Sequence, residues 1–166
     1  LQEFKVYAAI AYARANQLNR IVFDSPRPRL GIIACGKAYL DVRQALDDLG
    51  LDERVAADIG LRLYKVAMPW PLDAEGVRHF AEGLEEILVV EEKRPGLEAL
   101  VKDALYHAAE RPIVVGRFDE TGRGLVPGHG ALDADLLIPC LRRRLEPRLR
   151  DRLAPPRRSV GLEAVA

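Results

Sequence analysis

Leu30-Gly31-Ile32-Ile33-Ala34-Cys35 is an unbroken apolar run, and Gly36-Lys37-Ala38-Tyr39-Leu40-Asp41-Val42 follows it with a different period. An apolar run without alternation suits a strand buried on both faces, as in a parallel sheet. Past Gly36, the residues Tyr39, Val42, Leu46 and Leu49 share one helical face, and Gly50 is placed to stop that helix. A buried strand joined to a helix by one glycine is half of a βαβ crossover.

The same alternation recurs on both sides. Upstream, residues 20–24 (RIVFD) predict a short β-branched strand that ends in the turn Ser25-Pro26-Arg27-Pro28. Downstream, residues 61–66 (LRLYKV) predict a strand ended by Met68-Pro69-Trp70-Pro71. Asp73 then caps a helix striped by Val77, Phe80, Ala81 and Leu84. Ile87-Leu88-Val89-Val90 is a second fully apolar run, in a strand expected to end at Glu91, and Pro95 opens a helix striped by Leu97, Leu100, Val101, Ala104, Leu105 and Ala108. Residues 113–115 are the last strand, and 122–130 are a glycine-rich loop. A final helix begins at Asp133 or Asp135 and buries Leu136, Leu137, Cys140, Leu141 and Leu145. Pro139 favours the later start, because its missing N–H costs least in a first turn. Strands alternating with helices at these connection lengths imply right-handed crossovers, hence an α/β fold: three layers, α/β/α, around a mostly parallel sheet.

The two ends read differently. Leu1, Phe4, Ala8, Ala11, Ala15 and Leu18 recur at helical spacing. That stripe needs a covering surface, either the sheet or a second copy in a homodimer. Past Pro147, arginines mix with Pro155 and Pro156. The expected division is a helix or linker over 1–18, the α/β domain over 19–146, and an Arg/Pro-rich linker over 147–166. With its unsignalled start, the sequence reads as a piece of a longer chain.

Composition narrows the function. A chain of 166 residues, 49% of them hydrophobic, is long and apolar enough for one packed core. Its 25 bases balance 25 acids, which argues against nucleic acid or an anionic membrane surface as partner. Locally the balance fails: residues 41–110 hold 16 acids and 8 bases, while 111–166 hold 11 bases and 7 acids, among them Arg142, Arg143, Arg144, Arg148, Arg150, Arg152, Arg157 and Arg158. An acidic middle between basic flanks fits contact with neighbouring domains. The Arg-rich tail lacks aromatics on which bases could stack. No apolar run approaches membrane-spanning length. Two distant cysteines suit a reduced, cytoplasmic compartment and cannot alone hold a zinc ion or an iron–sulfur cluster.

Candidate chemistry is sparse. Gly36-Lys37 stands where a phosphate loop would, but neither G-x-x-x-x-G-K-[ST] nor G-x-G-x-x-G is present, and a plain strand-to-helix turn explains it. Glu91-Glu92-Lys93-Arg94 follows the most apolar strand and precedes a helix N-terminus, where carboxylates are favoured by the helix dipole. A general base at Glu91 or Glu92, or an anchor for a neighbouring domain, is the functional alternative. His79, His107 and His129 show no metal-ligand spacing. Cys35 and Cys140 fit buried thiols, and Cys35 as a nucleophile lacks a legible histidine partner. No residue is singled out as catalytic, cofactor-binding or metal-ligating.

The segments GKAYLDV (36–42), YKVAMPWPL (64–72) and EEILVVEEKRP (85–95) resemble the indolepyruvate ferredoxin oxidoreductase family, thiamine-diphosphate-dependent 2-oxoacid oxidoreductases. The resemblance runs from about residue 19 to 119 and points to the domain between the two thiamine-binding domains, similar in fold to the transketolase C-terminal domain. It implies a five-stranded sheet in the order 1-3-2-4-5 with the first strand antiparallel. It implies a parent enzyme that decarboxylates a 2-oxoacid to an acyl-CoA and reduces ferredoxin, using thiamine diphosphate, magnesium and an iron–sulfur cluster held elsewhere. On this reading the chain is a non-catalytic inter-domain module, partnered by the thiamine-binding domains. A stand-alone α/β ligand-binding module is the alternative.

The implied strand order reverses its winding between the second and fourth strands. Loops at such a switch point diverge into a crevice. Gly36 and Lys37 are expected on one side, and Glu91, Glu92, Lys93 and Arg94 on the other.

Overall fold

The computed structural model describes residues 2–128 and 130–149. His129, Leu1 and residues 150–166 of the expected linker, with Arg150, Arg152, Arg157 and Arg158, lie outside the described residues.

Five strands form one sheet: β1 (Arg20–Phe23), β2 (Leu30–Cys35), β3 (Leu61–Val66), β4 (Glu86–Val90) and β5 (Ile113–Val115). Their order is β1-β3-β2-β4-β5, with β1 antiparallel to β3 and every other pair parallel. Both sequence expectations, the α/β class and the strand order, describe this sheet. β2 lies at its centre, with Leu30 opposite Leu61 on one side and Glu86 on the other.

Successive side chains of a strand face opposite ways, and the core divides accordingly. Ile32, Ala34, Leu63, Leu88 and Val90 join the core under α2 (Gly36–Asp48), α3 (Glu53–Ile59) and α6 (Ala134–Leu149). Ile33, Tyr64, Val66, Ile87 and Val89 join the core under α4 (Ala74–Ala81) and α5 (Leu97–Leu105). A Cβ on Gly31 would stand 2.5 Å from Leu84 Cδ1 and 2.6 Å from Phe80 Cζ, so glycine lets the α4 layer lie directly on the central strand.

Local signals explain most boundaries. Asp73 Oδ1 accepts the Gly76 N–H at 3.2 Å and caps α4. α3 is an element the sequence reading did not include, although its signals are there. Asp52 Oδ1 accepts the Val55 N–H at 2.8 Å, and Gly60 ends the helix at φ 81°. α6 starts two residues earlier than Pro139 suggests: Asp133 Oδ1 accepts the Leu136 N–H at 2.9 Å, and both Pro139 and Pro147 are carried inside the helix. β4 ends at Val90 rather than Glu91, because Glu91 turns away to serve the next helix.

The N-terminal helix α1 (Gln2–Ala15) presents a different face from the expected one. Ala13 is buried and Val6, Ala9 and Ile10 are half-buried, whereas Phe4, Ala8, Ala11 and Ala15 are exposed. Its last turn is fixed by Arg14, which donates to both carboxylate oxygens of Asp73 at 2.9 and 2.5 Å and stands 2.7 Å from Glu75.

Candidate functional site

The winding reverses between β2 and β4. α2 leaves β2 on one face of the sheet and α5 leaves β4 on the other. The carboxyl ends of these strands carry the residues singled out in the sequence. The structure brings Gly36, Lys37, Glu91 and Glu92 together there, and it leaves the side chains of Lys93 and Arg94 exposed beside them.

Each inner group has a partner. Gly36 takes φ 54°, a left-handed conformation that turns the chain from β2 into α2. Lys37 Nζ donates to Asp41 Oδ2 at 2.7 Å and to the Leu132 carbonyl at 2.5 Å, and stands 3.8 Å from Glu92 Oε1. The bond to Asp41 is the chief cause that raises the Lys37 pKa, so the ammonium stays charged. Glu92 Oε1 in turn accepts the Leu132 N–H at 3.3 Å. Glu91 accepts the N–H groups of Gly96, Leu97 and Glu98 at 3.0, 2.7 and 3.0 Å. Those are donors that a helix start leaves without backbone partners, and a carboxylate there meets the positive end of the dipole. Lys93 sits at φ 62° and accepts a bond from Arg117 Nη1 at 3.1 Å through its carbonyl.

At the expected crevice, the structure ties Arg117 and Leu132 to the rim. Lys37 and Glu92 hold Leu132, and Arg117 holds the Lys93 carbonyl. Between Glu91, Lys93, Arg94, Glu98 and Arg117 lies a space of about 10 Å³, the size of one water molecule.

Asp119, which sequence reasoning passed over, organises that segment. Its Oδ1 accepts the Thr121 hydroxyl at 2.6 Å and the N–H groups of Thr121 and Arg123 at 2.9 Å each, and Oδ2 accepts Arg143 at 2.6 Å. These bonds, the Thr121 hydroxyl foremost, lower the Asp119 carboxyl to about 2. The Asp-x-Thr-Gly run at 119–122 is an Asx-turn signature that could have revealed it. A second overlooked group is Arg144 on α6, which donates to Glu86 Oε1 at 2.6 Å where β4 begins and reaches Glu120 at 3.1 Å.

The remaining candidates are scattered. Cys35 is half-buried, and burial, then the charge of Glu91, push its thiol up, away from the nucleophilic thiolate. Cys140 is buried and its Sγ donates to the Leu125 carbonyl at 2.8 Å. His79 and His107 are both exposed, on α4 and beyond the end of α5. Among the described residues, no group of three His, Cys, Asp or Glu could hold a metal ion, and no helix is long and apolar enough to cross a membrane.

Comparison with known proteins gives a consistent set. The family model of the indolepyruvate oxidoreductase domain matches residues 20–153. Indolepyruvate oxidoreductase subunit IorA of Methanothermobacter marburgensis is 35% identical over 75% of this chain, which covers 16% of that protein. The IorA subunit of Thermococcus kodakarensis is 33% identical over 54% of the chain and 13% of its own length. The chain thus spans between about one eighth and one sixth of these relatives. In fold it is similar to a split-gene transketolase described as an inactive β4 tetramer, with TM-score 0.51 and 20% identity over 78% of this chain and 42% of that one. It is equally similar to 2-oxoglutarate:ferredoxin oxidoreductase of Magnetococcus marinus, with TM-score 0.51 and 14% identity over 76% and 19%.

Proposed function

The chain belongs to the indolepyruvate oxidoreductase domain family, and from that premise we propose that it is a non-catalytic inter-domain module of a 2-oxoacid:ferredoxin oxidoreductase. Its neighbours would be the thiamine-binding domains of the parent enzyme, which yields an acyl-CoA and reduced ferredoxin. Residues 19–146 would form the module, with 1–18 leading into it and 147–166 leading away. Thiamine diphosphate, magnesium and an iron–sulfur cluster would belong to those other parts. The donor set here does not fit them: two cysteines far apart in sequence, no G-D-G…N motif, and no metal-capable cluster among the described residues.

The observation that carries the proposal is the use made of the switch-point charges. In an open α/β sheet this position is where reactive groups gather. Here Glu91 caps α5, and Lys37 and Glu92 clamp the segment at Leu132. Such partners favour rigidity over proton transfer. Lys93 and Arg94 remain outward, together with Trp70 at 71% exposure beyond β3 and Leu40 at 63% on α2. Exposed cations and exposed aromatic or aliphatic side chains that follow the carboxyl ends of the parallel strands suit a docking edge.

Exchange of Arg94 and of Glu92 for Ala in the parent enzyme tests the idea. Arg94→Ala is expected to weaken assembly or turnover while leaving this domain folded, and Glu92→Ala to loosen the rim as well. Unchanged kinetics and unchanged assembly in both variants would reduce the rim to ordinary surface.

A further inference from the structure

Three cations meet at the β1 edge of the sheet, on the face covered by α2. Arg20 of β1 and Lys65 of β3 are register partners across the antiparallel pair, so their side chains leave the same face side by side. Leu61 and Leu63 alternate with the other residues of β3 and share that face, in the core under α2. Lys65 Nζ lies 5.3 Å from the centre of the Tyr39 ring, in the first turn of α2. Arg43, one turn on, donates to the Tyr39 hydroxyl at 3.3 Å through Nη1, and its guanidinium lies 4.9 Å from the centre of the Phe23 ring. Arg20 is exposed, and Lys65 and Arg43 are half-buried.

None of the three has a carboxylate partner among the described residues. The acids nearby in sequence are committed elsewhere: Asp24 accepts Arg62 Nε at 2.7 Å, and Asp41 accepts Lys37 Nζ at 2.7 Å. Asp47, exposed and one turn past Arg43, makes no ion pair with it. Like charges directly opposite across two strands are destabilising, and attraction to ring faces offsets only part of that. Protection of an edge strand explains a charge at Arg20. It does not explain Lys65, whose strand is paired on both sides, or Arg43 on the helix above.

We propose that this face docks an acidic protein segment, one that presents several Asp or Glu side chains in a row, with Arg20, Lys65 and Arg43 as the countercharges. Arg43 lies over Phe23, three residues along β1 from Arg20, which is about 10 Å at the rise of a strand. A single small anion cannot bridge that span, whereas successive carboxylates of one segment can. Complementary charge of this kind sets orientation and on-rate more than raw affinity, so the binding is weak and sensitive to salt. The β1 edge lies beyond β3 from the switch point, and the inference does not depend on the rim at Lys93 and Arg94.

The test is a ¹H–¹⁵N NMR titration of the full chain with a hexaglutamate peptide. It is run at ionic strengths of about 0.01 M and about 0.15 M, between which the screening length falls from about 30 Å to about 8 Å. Amide shifts are expected at residues 20–23, 39–43 and 64–66, and they are expected to shrink severalfold at the higher salt. Arg20→Gln and Lys65→Gln are each expected to weaken binding about threefold, the size of an exposed ion pair, and Arg94→Gln to leave it unchanged. Shifts absent from these residues, or undiminished in both variants, would overturn the proposal. Equal shifts with inorganic phosphate would overturn it too, by marking a small-anion site. Arg20 is exposed, so Arg20→Gln decides the question even if Lys65→Gln disturbs the sheet.

Discussion

Glu91 stands at the end of an apolar strand, two residues from Lys93 and five from the first N–H it accepts. From sequence it reads equally as a base, an anchor or a cap; only the path of the chain at 92–96 brings its carboxylate onto three helix-start donors. Glu91→Ala is expected to cost about 1–2 kcal/mol, the range for loss of a helix cap, read as a lower urea midpoint with unchanged slope. An unchanged midpoint would remove the capping role. Asp119 makes the matching case for pH. Its folded carboxyl lies at about 2 against an ordinary 3.8, so the unfolded chain binds the proton more readily. Its contribution is therefore full above pH 3.8 and is lost as pH falls towards about 2. Asp119→Asn should lower stability at neutral pH and flatten the acid side of the stability profile. A variant whose acid unfolding follows the parent curve would contradict this. Sequence reasoning stopped at the glycines of this loop and so missed a side chain that orders its start.

The helices show where periodicity decides and where it cannot. α4 and α5 bury the residues their spacing picks out, Val77, Phe80, Val101 and Leu105 among them, because polar residues separate the apolar ones. In α1, ten of the fourteen residues are apolar, so spacing alone selects no face. The inward side is fixed instead by Arg14 and Ala13. Phe4 is left 81% exposed, Tyr7 71% and Tyr12 65%. Exposed aromatics of this size suit association, and the chain is expected to self-associate through them unless another part of the parent covers them. Sedimentation with and without residues 1–18 tests this. A larger species that becomes monomeric on truncation is expected; identical monomers in both would count against it. α6 depends on a different device. Arg144 and Glu86 have side chains 12% and 7% exposed, so removing one charge leaves the other buried. Arg144→Ala is expected to cost about 3–5 kcal/mol, read by thermal unfolding, and a loss within experimental scatter would show that Glu86 is held by its other contacts.

For the whole molecule, the α/β class is legible from strands such as 30–35 and 87–90, whose lack of alternation means burial on both faces. The strand order is not in that pattern. It came with the resemblance carried by GKAYLDV, YKVAMPWPL and EEILVVEEKRP, and the sheet has that order. Long-range side-chain contacts stayed out of reach, because the partners of Lys37 and Glu92 at Leu132 lie 95 and 40 residues away. Hence the switch point could be located from the implied strand order, while the bonds that Leu132 and Arg117 make there could not be foreseen. The central claim is that this domain supports a thiamine enzyme without itself carrying the cofactor. Calorimetric titration of the full chain with thiamine diphosphate and magnesium tests it most directly. No heat of binding is predicted, and a micromolar dissociation constant would contradict it.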